Sequence, residues 1–371
     1  MPVFTGLDPR RICIIKPSAL GDVVQSLPLL DPLRARFPKA SVSWVIGKGL
    51  GSLLEGHAGI DELIEFDRKG GVRGLVSLLR TLRSRKFDVV FDLQGLFRTG
   101  LMTWSTAAPV RIGLHTSREG AHRSYTSVVD GTGRDVPARL RCGRVIDEIT
   151  RDETVVGTAP KRPLENSRSS ASESSGLPLT IADRAFATQR LKSLTQPVLA
   201  ICPGARWATK RWPARNFAAL AARAHRQFGA AAMILGGPDE QKLGQRVEHH
   251  LRELMPSSAI VNLVGGTTLR QLAAVLEGST WVAANDSGPM HLADAVGTPV
   301  LGLFTCTSPW LSGPPLDRHE LISTRMLCAA SYHKSCPFSG AKHHACLGEL
   351  GVDRAWVGFV RLVAKSRRQA A

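Results

Sequence analysis

Trp281-Val282-Ala283-Ala284-Asn285-Asp286-Ser287-Gly288-Pro289-Met290-His291 is the stretch that decides the fold. An apolar, β-prone run ends in Asn-Asp, and a Ser-Gly-Pro turn then opens an amphipathic helix that continues Leu292-Ala293-Asp294-Ala295-Val296. A strand leading straight into a helix is the unit of an open α/β sheet, and such sheets bind ligands outside the carboxyl ends of their strands. Asp286 is expected to cap the new helix and Gly288 to permit close backbone approach. The first free N–H groups of the helix then face an anion, so the expected ligand carries phosphate.

The same alternation extends to both sides. Arg11-Ile12-Cys13-Ile14-Ile15-Lys16 is a buried-strand run, followed by a helical segment over residues 22–37. Strands follow near residues 42–46, 63–66 and 88–93, with a helix over 71–85. Around residues 151–176 the composition turns to Ser, Glu and Arg, which cannot bury apolar surface and read as a flexible linker. Beyond it strands fall near 198–202, 231–235, 260–263, 281–284 and 300–304, and helices near 213–228, 241–254, 269–277 and 289–296. This order predicts an α/β chain of two Rossmann-like, doubly wound parallel-sheet domains, residues 1–175 and 177–350, facing across a cleft. Residues 351–371 form a last helix and basic tail, with an apolar stripe of Trp356, Val357, Val360 and Val363.

Composition narrows the partners. With 48 Lys and Arg against 31 Asp and Glu, the net charge is +17, which calls for acidic substrates or an anionic membrane face. The chain has two tyrosines and no aromatic-interleaved basic motif, so no nucleic-acid partner is expected. No run of 18 apolar residues exists to span a bilayer, and residues 1–11 lack the apolar core of a signal peptide. The seven cysteines are scattered and odd in number, and Cys13, Cys142, Cys202 and Cys306 stand alone, as in a reducing compartment. A cytoplasmic protein is expected.

Four segments carry chemistry. The first strand-to-helix junction, Lys16-Pro17-Ser18-Ala19-Leu20-Gly21-Asp22-Val23, has one glycine, so it is neither a dinucleotide fingerprint nor a P-loop. It sets Asp22 in the first turn of a helix, as a cap or as a general base facing the cleft. Pro203-Gly204-Ala205-Arg206-Trp207-Ala208-Thr209-Lys210-Arg211-Trp212-Pro213 offers small residues and three cations, which suits a departing diphosphate. Leu235-Gly236-Gly237-Pro238-Asp239-Glu240 places carboxylates at another strand end, for a ribose hydroxyl or a helix cap. No Asp-x-Asp pair occurs, so no divalent ion is expected at the diphosphate and no cofactor is required. The segment from Cys328 to Cys346 gathers three cysteines and three histidines. Cys328, Cys336, His343 and Cys346 suit a tetrahedral zinc site, although no C-x₂-C pair is present.

These segments together resemble the ADP-heptose:lipopolysaccharide heptosyltransferases, which are inverting GT-B glycosyltransferases. The resemblance lies in Lys16-Pro17-Ser18-Ala19-Leu20-Gly21-Asp22-Val23, Phe91-Asp92-Leu93-Gln94-Gly95-Leu96, Thr209-Lys210-Arg211-Trp212-Pro213 and Asn285-Asp286-Ser287-Gly288-Pro289-Met290-His291, spread in order over most of the chain. It implies that the first domain binds an acceptor, the second binds ADP-heptose, and the terminal helix crosses back to the first. It also implies Asp22 as catalytic base and Lys210 at the donor phosphate. Arg206 falls in the donor loop, Glu240 and Thr267 at ribose and adenine positions, and Asp286, Ser287, Gly288 and His291 in the donor-binding turn. Ser18 and Gln94 are acceptor-side candidates. The implied acceptor is a lipid-linked anionic glycan of the Kdo–lipid A type at the inner-membrane surface, reached by a peripheral, electrostatically held enzyme. A transferase of the same family using another nucleotide sugar or acceptor is the second reading, and a non-catalytic basic nucleic-acid-binding protein the third.

Overall fold

The structure, a computed structural model, describes residues 6–151 and 176–370. The Ser-rich linker expected over residues 151–176 lies, apart from its two end residues, outside them. The chain divides into two compact units, Met1–Pro178 and Leu179–Ala371.

The first unit holds β1 (Arg11–Ile15), β2 (Ser41–Gly47), β3 (Glu62–Phe66), β4 (Val89–Asp92), β5 (Val110–Leu114) and β6 (Ser127–Val129). All are parallel, in the order β3-β2-β1-β4-β5-β6. Ile12, Cys13, Ile14 and Ile15 of β1 are fully buried, because helices cover both faces of a central parallel strand and make it apolar throughout rather than alternating. The chain winds outward from β1 through β2 to β3, then returns to β1 and continues on its other side with β4. The reversal leaves a crevice at the carboxyl ends of β1 and β4.

The second unit repeats this plan with β7 (Val198–Cys202), β8 (Ala231–Ile234), β9 (Ile260–Asn262), β10 (Trp281–Asn285), β11 (Val300–Phe304) and β12 (Glu320–Ser323). The order is β12-β11-β10-β7-β8-β9, all parallel, so its reversal falls between β7 and β10. Both units are therefore doubly wound.

Several elements differ from the sequence reading. The helix expected over 22–37 is three pieces: Leu20–Val24, a 3₁₀ turn Leu27–Leu29, and Leu30–Arg36. Pro28 has no N–H to continue the first piece, and its ring crowds the preceding turn. The strands β5, β6 and β12 and the helices Phe97–Thr106, Ala138–Thr150 and Ile181–Leu191 are additional. The terminal helix Val352–Ala370 packs on the helix Ala214–Phe228 and on β11 and β12 of its own unit. Trp356 and Phe359 join Phe228 and Trp281 in one aromatic cluster. The Trp281 indole N–H donates to Ser366 Oγ at 3.1 Å. The buried stripe is Ala355, Phe359, Leu362 and Val363, whereas Val357 and Val360 face out. Each fully buried Phe or Leu there contributes about 1.5–3 kcal/mol. Among the described residues no helix is long and apolar enough to cross a membrane.

Candidate active site

In the first unit the reversal point is built by the loops after β1 and β4. The chain leaves β1 through Lys16, Pro17, Ser18 and Ala19 and enters the short helix bearing Asp22. Asp22 is half-buried, and its Oδ2 accepts the Ala19 N–H at 3.1 Å, so the carboxylate does the capping that its position allows. Ser18 lies half-buried on the same loop. Lys16 is nearly enclosed, and its ammonium donates to the Leu93 carbonyl at 2.8 Å, tying the two strand ends together.

Asp92, at the end of β4, is fully buried. Its Oδ1 accepts the N–H groups of Gln94 and Gly95, both at 2.9 Å, and its Oδ2 accepts the Tyr125 hydroxyl at 2.8 Å. Burial pushes this carboxyl above the usual carboxylate range, and these hydrogen bonds pull it only part of the way back. Gly113 makes the arrangement possible, since a Cβ there would lie 2.0 Å from the Tyr125 ring. The turn so held presents Gln94, whose Oε1 is buried and has no hydrogen-bond partner among the described residues. Asp92 lay within the resemblance segment Phe91-Asp92-Leu93-Gln94-Gly95-Leu96 but was given no role of its own there.

In the second unit, Lys210 on the loop after β7 meets Asp286 at the end of β10. The ammonium lies 2.7 Å from Asp286 Oδ2 and 3.3 Å from the Asp286 carbonyl, with side-chain exposures of 17% and 7%. It also stands 4.7 Å from the Trp207 ring centroid. Asp286 was expected to cap the helix Gly288–Ala295, and it does not. The capping position is Ser287, whose hydroxyl makes no cap bond and is buried without a partner among the described residues. The Asp286 carboxylate instead faces the Lys210 ammonium across the two loops. The helix begins with a Ser287 hydroxyl that makes no cap bond and a Pro289 that has no N–H, beside the Lys210 ammonium, a start that suits an anion. His291 is buried one turn in.

Asn285 joins the two loops. Its Nδ2 donates to the Pro203 carbonyl at 2.7 Å, and its Oδ1 accepts the Trp212 N–H at 3.1 Å. Arg211, counted among the loop's cations, turns back to the Ala205 carbonyl at 2.7 Å, while Arg206 is exposed. Glu240 Oε2 accepts the Gly237 N–H at 3.0 Å, closing the turn after β8. Its carboxylate also fills the space over Gly204, where a Cβ would sit 1.8 Å from Glu240 Oε1. Thr267 is half-buried on the loop after β9, just before the helix Leu269–Glu277. Parallel strands lie about 4.8 Å apart, so the loops after β7, β8 and β9 step across roughly 10 Å.

The cysteine and histidine residues sort differently from the expected zinc set. Cys336, His343 and His344 bring their ligand atoms within 4.8 Å of one another, so His344 joins the group, while Cys328 and Cys346 stand outside that trio. His333 stands apart; its carbonyl accepts the Thr209 hydroxyl at 2.8 Å.

Comparison with known proteins places these features. The model of glycosyltransferase family 9 (heptosyltransferase) matches residues 75–342. The lipopolysaccharide core heptosyltransferase OpsX of Haemophilus influenzae is 28% identical over 326 residues, covering 87% of this chain and 86% of that protein. A family 9 glycosyl transferase from Veillonella parvula shares the fold with a TM-score of 0.75 at 24% identity, over 97% of this chain and 98% of that one. The ADP-heptose heptosyltransferase II of Escherichia coli aligns with a TM-score of 0.71 at 22% identity, over 97% of this chain and all (100%) of that one.

Proposed function

Since this chain belongs to glycosyltransferase family 9, the heptosyltransferase family, we propose that it transfers a heptose from ADP-heptose to the inner core of lipopolysaccharide. The acceptor is Kdo–lipid A or a glycan already carrying heptose.

The observation that carries this reading is the Lys210–Asp286 pair at the uncapped start of the helix Gly288–Ala295. One ammonium stands beside the start of a helix whose Ser287 makes no cap bond, where a diphosphate fits, at the reversal point of a doubly wound sheet. The strand order then suits the rest of the donor: phosphates over β7 and β10, ribose at Glu240 after β8, adenine near Thr267 after β9. Asp22 acts as general base, taking the proton of an acceptor hydroxyl as that oxygen attacks the anomeric carbon from the face opposite ADP, which inverts the configuration. The charge growing on ADP is met by Lys210 and by the N–H groups around Ser287 and Gly288, with Arg206 and His291 as further donor-binding residues. A diphosphate is a good leaving group, so one base suffices and no strong acid is needed. Ser18 and Gln94, at the carboxyl ends of β1 and β4, face the acceptor.

The enzyme works at the cytoplasmic face of the inner membrane, held by charge. Its net charge is +17, and the neighbouring helices Gly71–Ser84 and Phe97–Thr106 expose Val72, Phe97 and Trp104 beside Arg73 and Arg98. Aromatic and basic side chains together suit an anionic lipid surface.

Thermal-shift titration with ADP, UDP and GDP tests the donor assignment. Stabilisation by ADP at lower concentration than by UDP or GDP is expected, and equal or absent shifts would overturn it.

A further inference from the structure

Residues 324–344 run from the end of β12 to the helix Ala345–Glu349 with a single 3₁₀ turn, Gly340–Lys342, as their only regular structure. Three non-glycine residues of this segment, Ala330, Tyr332 and His344, adopt left-handed backbone conformations, which persist only where surrounding contacts enforce them. A loop of this length inside a compact unit needs something to hold it. What it carries instead of an apolar core is a knot of thiols and imidazoles.

Cys336, His343 and His344 place one ligand atom each within 4.8 Å of the others. The two imidazoles stack with centroids 4.1 Å apart, and the His344 N–H donates to Cys336 Sγ at 3.4 Å. His343 Nδ1 lies 2.9 Å from the Phe338 carbonyl, and donation there leaves Nε2 with a free lone pair. That backbone anchor is the one usually found behind a metal-ligating histidine. Cys346, buried, lies two residues beyond His344 in the helix Ala345–Glu349. All of these cysteines are free.

We propose that Cys336, His343 and His344 bind one divalent transition-metal ion, zinc by the chemistry of the donor set, with Cys346, two residues further on, closing the fourth position. One thiolate and two imidazoles form three corners of a tetrahedral shell with ligand-to-ligand edges of about 3.3–3.8 Å, so this trio tightens by roughly an ångström on binding, and the Cys346 thiolate moves in to close the fourth corner. The two thiols leave their protons to solvent as the metal enters. The site has a mechanical purpose in this fold. The segment it closes bears on the loop of Lys210: the Thr209 hydroxyl donates to the His333 carbonyl at 2.8 Å, and Lys334 stands 6.0 Å from the Trp207 ring centroid. Tyr332 N–H donates to the Cys306 carbonyl at 2.7 Å. The metal would thus brace residues 207–210 from behind without touching substrate.

The test is metal analysis of the full chain, expressed with zinc and iron available and purified without a histidine tag under reducing conditions. About one equivalent of zinc is expected, falling below about a tenth in Cys336→Ser and in the His343→Ala/His344→Ala double variant, with unchanged far-ultraviolet circular dichroism. Cys142→Ser, outside the cluster, keeps the full equivalent. Cobalt substitution of the wild type adds thiolate-to-metal charge-transfer absorption, so the claim does not depend on a variant folding. Stoichiometric iron in place of zinc would correct the ion and keep the site. A wild-type chain that holds no metal and fails to take zinc or ferrous ion from a chromogenic chelator would overturn the proposal. So would full metal retention in Cys336→Ser, or a Cys328–Cys346 disulfide seen by intact mass.

Discussion

Replacing Lys210 by Met separates the two jobs assigned to that ammonium. In the folded protein it neutralises Asp286, whose carboxylate is 7% exposed, across 2.7 Å. Removing one partner of a fully buried pair costs about 3–5 kcal/mol, and because Lys210 is 17% exposed the lower side applies, about 2–3 kcal/mol. For a unit of this size each kcal/mol shifts the melting temperature by roughly 2–4 °C, so a fall of about 4–12 °C is expected. A hydrogen bond from a charged donor to phosphate is worth about 1.5–3 kcal/mol, so kcat/KM for ADP-heptose should drop about 10- to 150-fold. The double variant Lys210→Met/Asp286→Asn distinguishes the two effects. It no longer leaves a buried charge, so its melting temperature should return most of the way, while its kcat/KM stays low. Differential scanning calorimetry and steady-state donor kinetics on the three proteins read both. If the double variant recovered activity along with stability, Lys210 would serve only to neutralise Asp286, and the diphosphate site would have to be sought elsewhere.

Asp22→Asn keeps the cap to Ala19 and removes the base, so turnover should fall about 10²–10⁴-fold with the ADP affinity unchanged by isothermal titration; near-normal turnover would remove Asp22 from the chemistry. Gly204→Ala drives a methyl into the Glu240 carboxylate and should raise KM for the donor more than it lowers kcat; an unchanged KM would detach Glu240 from the ribose. Burial pushes the Asp294 carboxyl up, but the His319 hydrogen bond at 2.8 Å and the charges of His319, His291 and Arg318 outweigh it and hold it below its ordinary value. The ionised form is thus favoured by folding: its stabilisation is complete above the unfolded carboxyl's value of about 3.9 and is lost as pH falls through the lower folded value. Urea midpoints measured from pH 6 downward should therefore fall less steeply in Asp294→Asn than in the wild type, and identical slopes would deny the linkage. Binding to vesicles containing anionic lipid should weaken steeply between low and high salt, and Trp104→Ala with Phe97→Ala, which reduces the apolar contact, should lower affinity at every salt concentration while keeping that steepness; salt-insensitive binding would contradict electrostatic docking.

How legible the sequence was depends on what each element's signal was made of. Central strands announced themselves because burial on both faces demands unbroken apolar runs, as in Ile12-Cys13-Ile14-Ile15 and Val198–Cys202. The outer strands β6 and β12 did not, being short and only partly buried. The terminal helix was visible, but its buried face was misplaced by Val357 and Val360, apolar residues that happen to face out, while Phe359 and Leu362 carry the packing. At the site, the loops were legible because glycine, proline and charge mark strand ends. The pairing was not. That Asp286 binds Lys210 rather than capping its own helix depends on two loops 76 residues apart being brought together by β7 and β10. Asp92 was missed for a related reason, since its burial follows from Tyr125 lying against Gly113 on a strand that the sequence did not reveal. The thiol and imidazole cluster was half-read: composition gave the segment, and the fold gathers Cys336, His343 and His344, leaving Cys328 and Cys346 outside that trio.

The most direct test of the central claim is mass-spectrometric detection of transfer from ADP-heptose to Kdo–lipid A and to its singly heptosylated form, run side by side for the wild type and Asp22→Asn. The account predicts that the wild type adds one heptose to one of the two acceptors and releases ADP, with the product's anomeric configuration opposite to the donor's. Under the same conditions the variant binds ADP and adds little or none. A wild-type chain that adds heptose to neither acceptor, or a product that retains the donor configuration, would contradict it.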